Sequence, residues 1–375
     1  MVRSHALDGL RATAATLIVV FHLGLANFAI EQVRSGRPLL GHFLSGFGAS
    51  GVELFFALSA VVLLRPYFRD GRPMDVGAYF RRRITRLWPP FLGAWLLAGC
   101  VVALLEAHPN WWPSAMPGFS LGEWNSQAFI VYLGNKAYNF AWWTLSIEMT
   151  FYVLAPIAVL LLAKRSAAFF VASLIASAIA AQAASFLVPD DGLARLLMRF
   201  VTFSSCFMGG MVLAKFDVER PLRYALGLSG LAIVAASVIV PHVNGHIGYG
   251  LIYMALVSEA LDLNTWCSRF LSTHPLVWLG ERSYSLFLTH FSVIALACWS
   301  TAWLIPGKGL EFFLISRTLA IAGSLVVACL LFESVESRFA KGLMTAGQWL
   351  PRSRGSRGGA ERPAGVAALP KSAES

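Results

Sequence analysis

Apolar residues in this chain of 375 residues gather into long runs that recur along almost its whole length. A helix of about 20 apolar residues is long enough to cross a bilayer. Ten runs qualify, at 8–29, 46–65, 87–106, 141–162, 167–188, 195–214, 222–240, 246–263, 284–305 and 310–332, the eighth carrying the faintest signal. The pattern predicts an all-α integral membrane protein with about ten transmembrane helices in one bundle. It assigns residues 1–345 to the membrane domain and 346–375 to a disordered, basic cytoplasmic tail without periodicity or hydrophobic anchors.

Composition agrees with this pattern. Hydrophobic residues make up 57% and charged residues 13%, against about 25% charged in a soluble domain, which excludes a soluble globular protein. The net charge of +10 invites a nucleic-acid reading, but the basic residues cluster in short segments between apolar runs, where they set topology. With a cytoplasmic N-terminus, 22 Lys and Arg fall in inner segments and 6 in outer ones, while Arg11 and Arg317 lie inside spans. The bias predicts that both termini are cytoplasmic, and no nucleic-acid partner is expected. Asp8 and Arg11 interrupt the first run and no small-residue cleavage site follows, so it reads as a retained helix. The five cysteines, Cys100, Cys206, Cys267, Cys298 and Cys329, show no metal-ligand spacing and read as packing residues, so no metal site is expected. The outer loop 107–140, with Trp111, Trp112, Pro113, Pro117 and Trp124, reads as an aromatic belt or a sugar-facing surface.

Ionisable residues within spans are costly in lipid and mark functional candidates. Counting about 1.5 Å per residue from the nearer span end places His22, Glu53, Glu148 and Arg317 in one layer of the outer half. Arg11, Arg83, Arg86 and His290 fall near the inner face. Arg11 and His22, eleven residues apart, share a helix face at a separation of roughly 16 Å. Each candidate has a plainer competitor. Either carboxylate could be only the ion-pair partner of Arg317, His290 could be a hydrogen-bonded core histidine, and Arg81 and Arg82 read best as positive-inside anchors.

A histidine beside a carboxylate can take a proton from a hydroxyl, and guanidinium groups at a cytoplasmic mouth suit a phosphate-bearing donor. A coenzyme A thioester joins phosphates to an acyl group through a long thin arm, which matches an inner arginine site and a deeper histidine. Acyl transfer from an inner donor to an outer alcohol is the chemistry expected.

The residues also resemble a known family, membrane acyltransferase family 3. LDGLRATAATLIVVFH (7–22) is similar to the family's first helix, in which an Arg precedes a His by eleven positions, as Arg11 precedes His22. GVELFFALSAVVL (51–63), with Glu53, resembles its second-helix segment, and RRRITRLWPPF (81–91) contains its Arg-x-x-Arg as Arg83 and Arg86. WWTLSIEMTFYVLAP (142–156) places Glu148 at an acidic position, and SYSLFLTHF (283–291) matches a late segment through His290. Ala60, Thr144 and Phe287 depart from the family's usual Gly, Ser and Tyr.

The resemblance implies an integral-membrane O-acyltransferase of the bacterial inner membrane. Acetyl-CoA or another acyl-CoA would be its donor substrate, with no cofactor bound permanently. The acceptor would be a hydroxyl of a glycan, a lipid-linked saccharide or another envelope or exported compound. His22 would be general base or transient acyl carrier, Glu148 or Glu53 its orienting carboxylate, and Arg11, Arg83 and Arg86 the donor-phosphate ligands. His290 and Arg317 would lend support, Arg317 either balancing the carboxylates or polarising the thioester carbonyl. Membrane lipids, and a separate extracytoplasmic chain if transfer needs one, complete the expected partners. A transporter or glycan exporter is the main alternative, although no inverted repeat is visible. A non-catalytic scaffold is the second.

Overall fold

The computed structural model describes residues 4–106, 119–129, 138–187, 192–240, 242–305 and 309–339. The tail and Trp111, Trp112, Pro113 and Pro117 lie outside the described residues. All regular structure among the described residues is helical. Helix α1 (His5–Val20) passes through a π-turn (Phe21–Leu25) into α2 (Ala26–Arg34), and α3 (Pro38–Ala49) leads into α4 (Gly51–Phe68). Then follow α5 (Val76–Glu106), α6 (Leu121–Ser126), α7 (Trp143–Leu162), α8 (Ala167–Ala184), α9 (Gly192–Thr202) and α10 (Ser204–Lys215). The last helices are α11 (Arg220–Ile239), α12 (Gly245–Leu261), α13 (Trp266–Leu271), α14 (His274–Glu281), α15 (Ser283–Leu304) and α16 (Leu310–Leu331), which ends in a second π-turn at Phe332–Glu336.

Eight helical segments among the described residues are long and apolar enough to cross a bilayer, and the 49° bent pair α9 and α10 adds a ninth if it acts as one span. The protein is a multi-pass membrane protein. Of the ten predicted runs, 195–214 is the bent pair and 246–263 becomes α12, whose 17 residues span about 26 Å. Helix α5 starts at Val76, eleven residues before the predicted run, because the basic stretch before Leu87 is also helical and Asp75 caps it by accepting from the Ala78 N–H at 2.9 Å. Arg83 and Arg86 therefore stand on a rigid helix rather than in a loop.

Small residues set how closely α1 is held. A Cβ at Gly280 of α14 would lie 1.9 Å from the Asp8 carbonyl oxygen, and one at Gly51 would lie 2.4 Å from the Ala14 carbonyl oxygen. These two contacts lock α1 against α14 and the start of α4, which fixes the height of every polar group α1 carries. At the far end of α4, Arg69 grips the Asp217 carboxylate with two bonds of 2.6 Å and holds it below the usual carboxylate range. Trp124 folds back on α5, stacked 4.0 Å from Trp95 with each indole N–H donating to the other's carbonyl. This Trp is thus used in packing. Gly280→Ala should cost about 1–3 kcal/mol through overpacking, read as a lower melting temperature in detergent. An unchanged melting temperature would contradict the close approach.

Candidate active site

A cavity of about 130 Å³ opens between α1, α4, α5, α7 and α15. Its end nearest the start of α1 is polar. Arg11 from α1, Arg83 and Arg86 from α5, and Glu336 from the second π-turn meet there. Arg11 pairs with buried Asp8 at 2.8 Å, and Glu336 accepts from the Ser285 hydroxyl at 2.6 Å. Arg83 lies 5.5 Å from the centre of the Tyr152 ring. Neither Arg83 nor Arg86 has a carboxylate within ion-pair distance among the described residues. Both are therefore available to an anion.

The opposite end is apolar, walled by Ile18, Val52, Phe55, Phe56 and Phe287. Glu148 lines the cavity between the two ends, accepting from the Ser59 hydroxyl at 2.5 Å and from the Tyr152 hydroxyl. One turn beyond Ile18 and one turn beyond Phe287 stand His22 and His290, with His22 Nδ1 and His290 Nε2 3.2 Å apart.

The hydrogen bonds assign the tautomers of this pair when both rings are neutral. His290 Nδ1 faces the carbonyl oxygens of Phe287 at 2.8 Å and Leu286 at 3.2 Å; a carbonyl only accepts, so Nδ1 carries the proton and Nε2 a lone pair. His22 Nδ1 in turn faces the Ile18 carbonyl at 2.9 Å and the His290 Nε2 lone pair. It must also carry its proton. The lone pair of His22 is then on Nε2, to which no protein group bonds among the described residues. The π-turn holding His22 contains Gly24 at φ 143°, a conformation that costs a glycine little and other residues much.

The predicted residues divide differently from the expected layers. His290 belongs with His22, not with the arginines, because Gly280 sits on Asp8 and the height of α15 must be counted from 280 rather than 284. Glu148 belongs to the arginine cavity, not beside His22. Helix α7 begins inside the bundle, with Asn139 and Trp142 donating to the Leu288 carbonyl at 2.9 and 3.2 Å, so Glu148 lies deeper than a surface start implies. Glu53 is also absent from the His22 neighbourhood. Gly51 faces α1, and two residues on, about 200° around the helix, Glu53 points to α12 and pairs with His246 Nδ1 at 2.5 Å. Arg317 balances no carboxylate among the described residues. Its Nη1 approaches Cys298 Sγ on α15 at 3.0 Å and Ser316 Oγ at 3.3 Å.

Several site residues have no place in the sequence reading. Asp8 and Tyr152 are within reach of it, since Asp8 precedes Arg11 by three residues and Tyr152 follows Glu148 by four, the spacings of one helix face. Ser59, His246 and Glu336 meet their partners only through the tertiary fold, and no local spacing marks them. Ala60 packs where α4 meets Gly210, while Thr144 and Phe287 line the cavity.

Residues 4–333 match the model of a family described as "Acyltransferase domain". The chain is similar to O-acetyltransferase OatA of Staphylococcus aureus (strain NCTC 8325 / PS 47), 25% identical over 399 residues that cover 93% of this chain and 59% of that protein. It is also similar to putative O-acetyltransferase SACOL0978 of Staphylococcus aureus (strain COL), 24% identical over 388 residues covering 92% and 58%. The chain thus spans less than two thirds of the length of these relatives. No solved structure matches it. With the match running through every helix that lines the cavity, the chain belongs to the acyltransferase domain family.

Proposed function

We propose that the protein is an O-acetyltransferase that moves an acetyl group from cytoplasmic acetyl-CoA to a hydroxyl of a glycan or other exported acceptor. The observation that carries this reading is the cavity itself, with two arginines that lack a direct ion-pair partner at one end and the free Nε2 of His22 one turn beyond the other. The names of the relatives and the family support the reaction class. The bias of basic residues supports cytoplasmic termini in a bacterial inner membrane, which puts the arginine end toward the cytoplasm.

In this reading Arg83 and Arg86, helped by Arg11, hold the donor's phosphates through charge-assisted bonds. The arm of the thioester follows the apolar wall toward His22, roughly 16 Å from Arg11 along α1. His22 Nε2 accepts the proton of the acceptor hydroxyl as its oxygen bonds to the acyl carbon. The carbon–sulfur bond breaks, the thiolate leaves with the electron pair, and the proton held by His22 neutralises it. His290 takes the orienting role that the sequence assigns to a carboxylate, while Glu148 offsets the arginine charge inside the cavity. A transient acyl-His22 is the second route for the same groups.

Purified protein supplied with radiolabelled acetyl-CoA and an envelope-glycan extract tests this reading. His22→Ala should lower CoA release and label transfer at least about a hundredfold, the scale of general-base catalysis, while acetyl-CoA still binds. A well-folded protein that neither binds nor turns over acetyl-CoA would favour the transporter. Arg83→Ala and Arg86→Ala should each raise KM for acetyl-CoA about tenfold, equivalent to about 1.4 kcal/mol. They should leave KM for acetyl-pantetheine, which lacks the nucleotide phosphates, nearly unchanged. An equal loss with both donors would contradict the phosphate assignment. His290→Ala should lower kcat more than it raises KM, and the opposite split would remove its orienting role.

A further inference from the structure

The fold pairs the arginines that join its helices. Arg223 meets Glu259 and Asp262, each at 3.1 Å, and Arg282 meets Glu333 at 2.7 Å. Arg199 lies over the Trp143 ring at 4.9 Å. Arg317 on α16 lacks an acidic partner. Its guanidinium lies 5.1 Å from the Phe313 ring one turn back on the same helix, its Nη1 reaches a thiol and a hydroxyl, its Nε is buried with no hydrogen-bond partner, and no carboxylate stands within ion-pair distance among the described residues. An uncompensated guanidinium inside a membrane-spanning helix is costly, and arginine does not shed its charge to avoid that cost.

The position of this cation is as informative as its isolation. A Cβ at Gly24 would lie 3.6 Å from Arg317 Nε and 3.8 Å from Nη2, so the guanidinium rests against the π-turn two residues beyond His22. Cys298 is two helical turns beyond His290 on α15. Arg317 therefore stands past the histidine pair, on the side away from Arg11, Arg83 and Arg86. The donor's phosphates are taken up at that other end, and a neutral carbonyl would not balance a full positive charge.

We infer that Arg317 forms an anion subsite for the acceptor, taking a carboxylate or phosphate fixed to the saccharide whose hydroxyl is presented to His22. The inference rests on the proposed direction of transfer. It assigns the acceptor to the anionic saccharides, with Arg317 selecting for charge while His22 acts on the hydroxyl.

Methyl glucuronide and methyl glucoside, which differ by one carboxylate, are suitable probes for detergent-purified protein, with thermal stabilisation as the readout. The glucuronide should stabilise the wild type and the glucoside should not. Arg317→Gln should weaken the glucuronide response about tenfold, the loss of about 1.4 kcal/mol, and Arg317→Lys should keep part of it. Acetyl-CoA binding should be the same in all three proteins, which also shows that the variants are folded. Equal responses to the two sugars, or an unchanged response in Arg317→Gln, would overturn the subsite. Arg317-dependent stabilisation by phosphatidylglycerol but not by the glucuronide would assign the anion to a lipid headgroup and overturn it as well. Failure of acetyl-CoA turnover with the glucuronide response intact would count against the proposed reaction, not against the subsite.

Discussion

Charge without water is the constraint on which this structure turns. In a bilayer each buried polar group needs a partner supplied by the protein or by a ligand. Most of the described bundle satisfies this internally, through Arg11 with Asp8, Arg223 with Glu259 and Asp262, and Glu53 with His246. Among the described residues, four groups without an acidic or other polar partner of this kind lie along one path. Arg83 and Arg86 open one end of the cavity, His22 Nε2 lies beyond the other end, and Arg317 stands beyond that.

Close helix packing makes the path possible. Gly280 and Gly51 bring α14 and α4 onto the α1 backbone, so α1 cannot slide without breaking both contacts. The same helix then carries Arg11 at one end of the cavity and leads into the π-turn that holds His22. Fixing one helix thus fixes the distance between Arg11 and His22. The His290 ring adds the last element, because its bonds to the Phe287 and Leu286 carbonyls decide which nitrogen of His22 is free.

Much of this is legible in the sequence, for physical reasons that also mark where legibility ends. Long apolar runs announce the helices, and charges inside them announce the site, because each is expensive in lipid. Arg11, Arg83 and Arg86 do meet in one cavity. Depth counted along a helix gives no azimuth and assumes that each helix starts at the membrane surface. Glu53 lies on the wrong face for His22, and Glu148 stands on a helix that starts inside the bundle. For His290 the error is the four residues between 280 and 284. The partnership of Glu53 with His246, 193 residues apart, leaves no local trace.

His290 and the Ile18 carbonyl hold His22 with its proton on Nδ1 and its lone pair on Nε2. Nitrogen-15 NMR of histidine-labelled protein, assigned by comparison with His22→Ala, measures this directly. His22 should show a protonated Nδ1 and an unprotonated Nε2 at neutral pH, with that preference lost in His290→Ala. A proton on Nε2 in the wild type would contradict it.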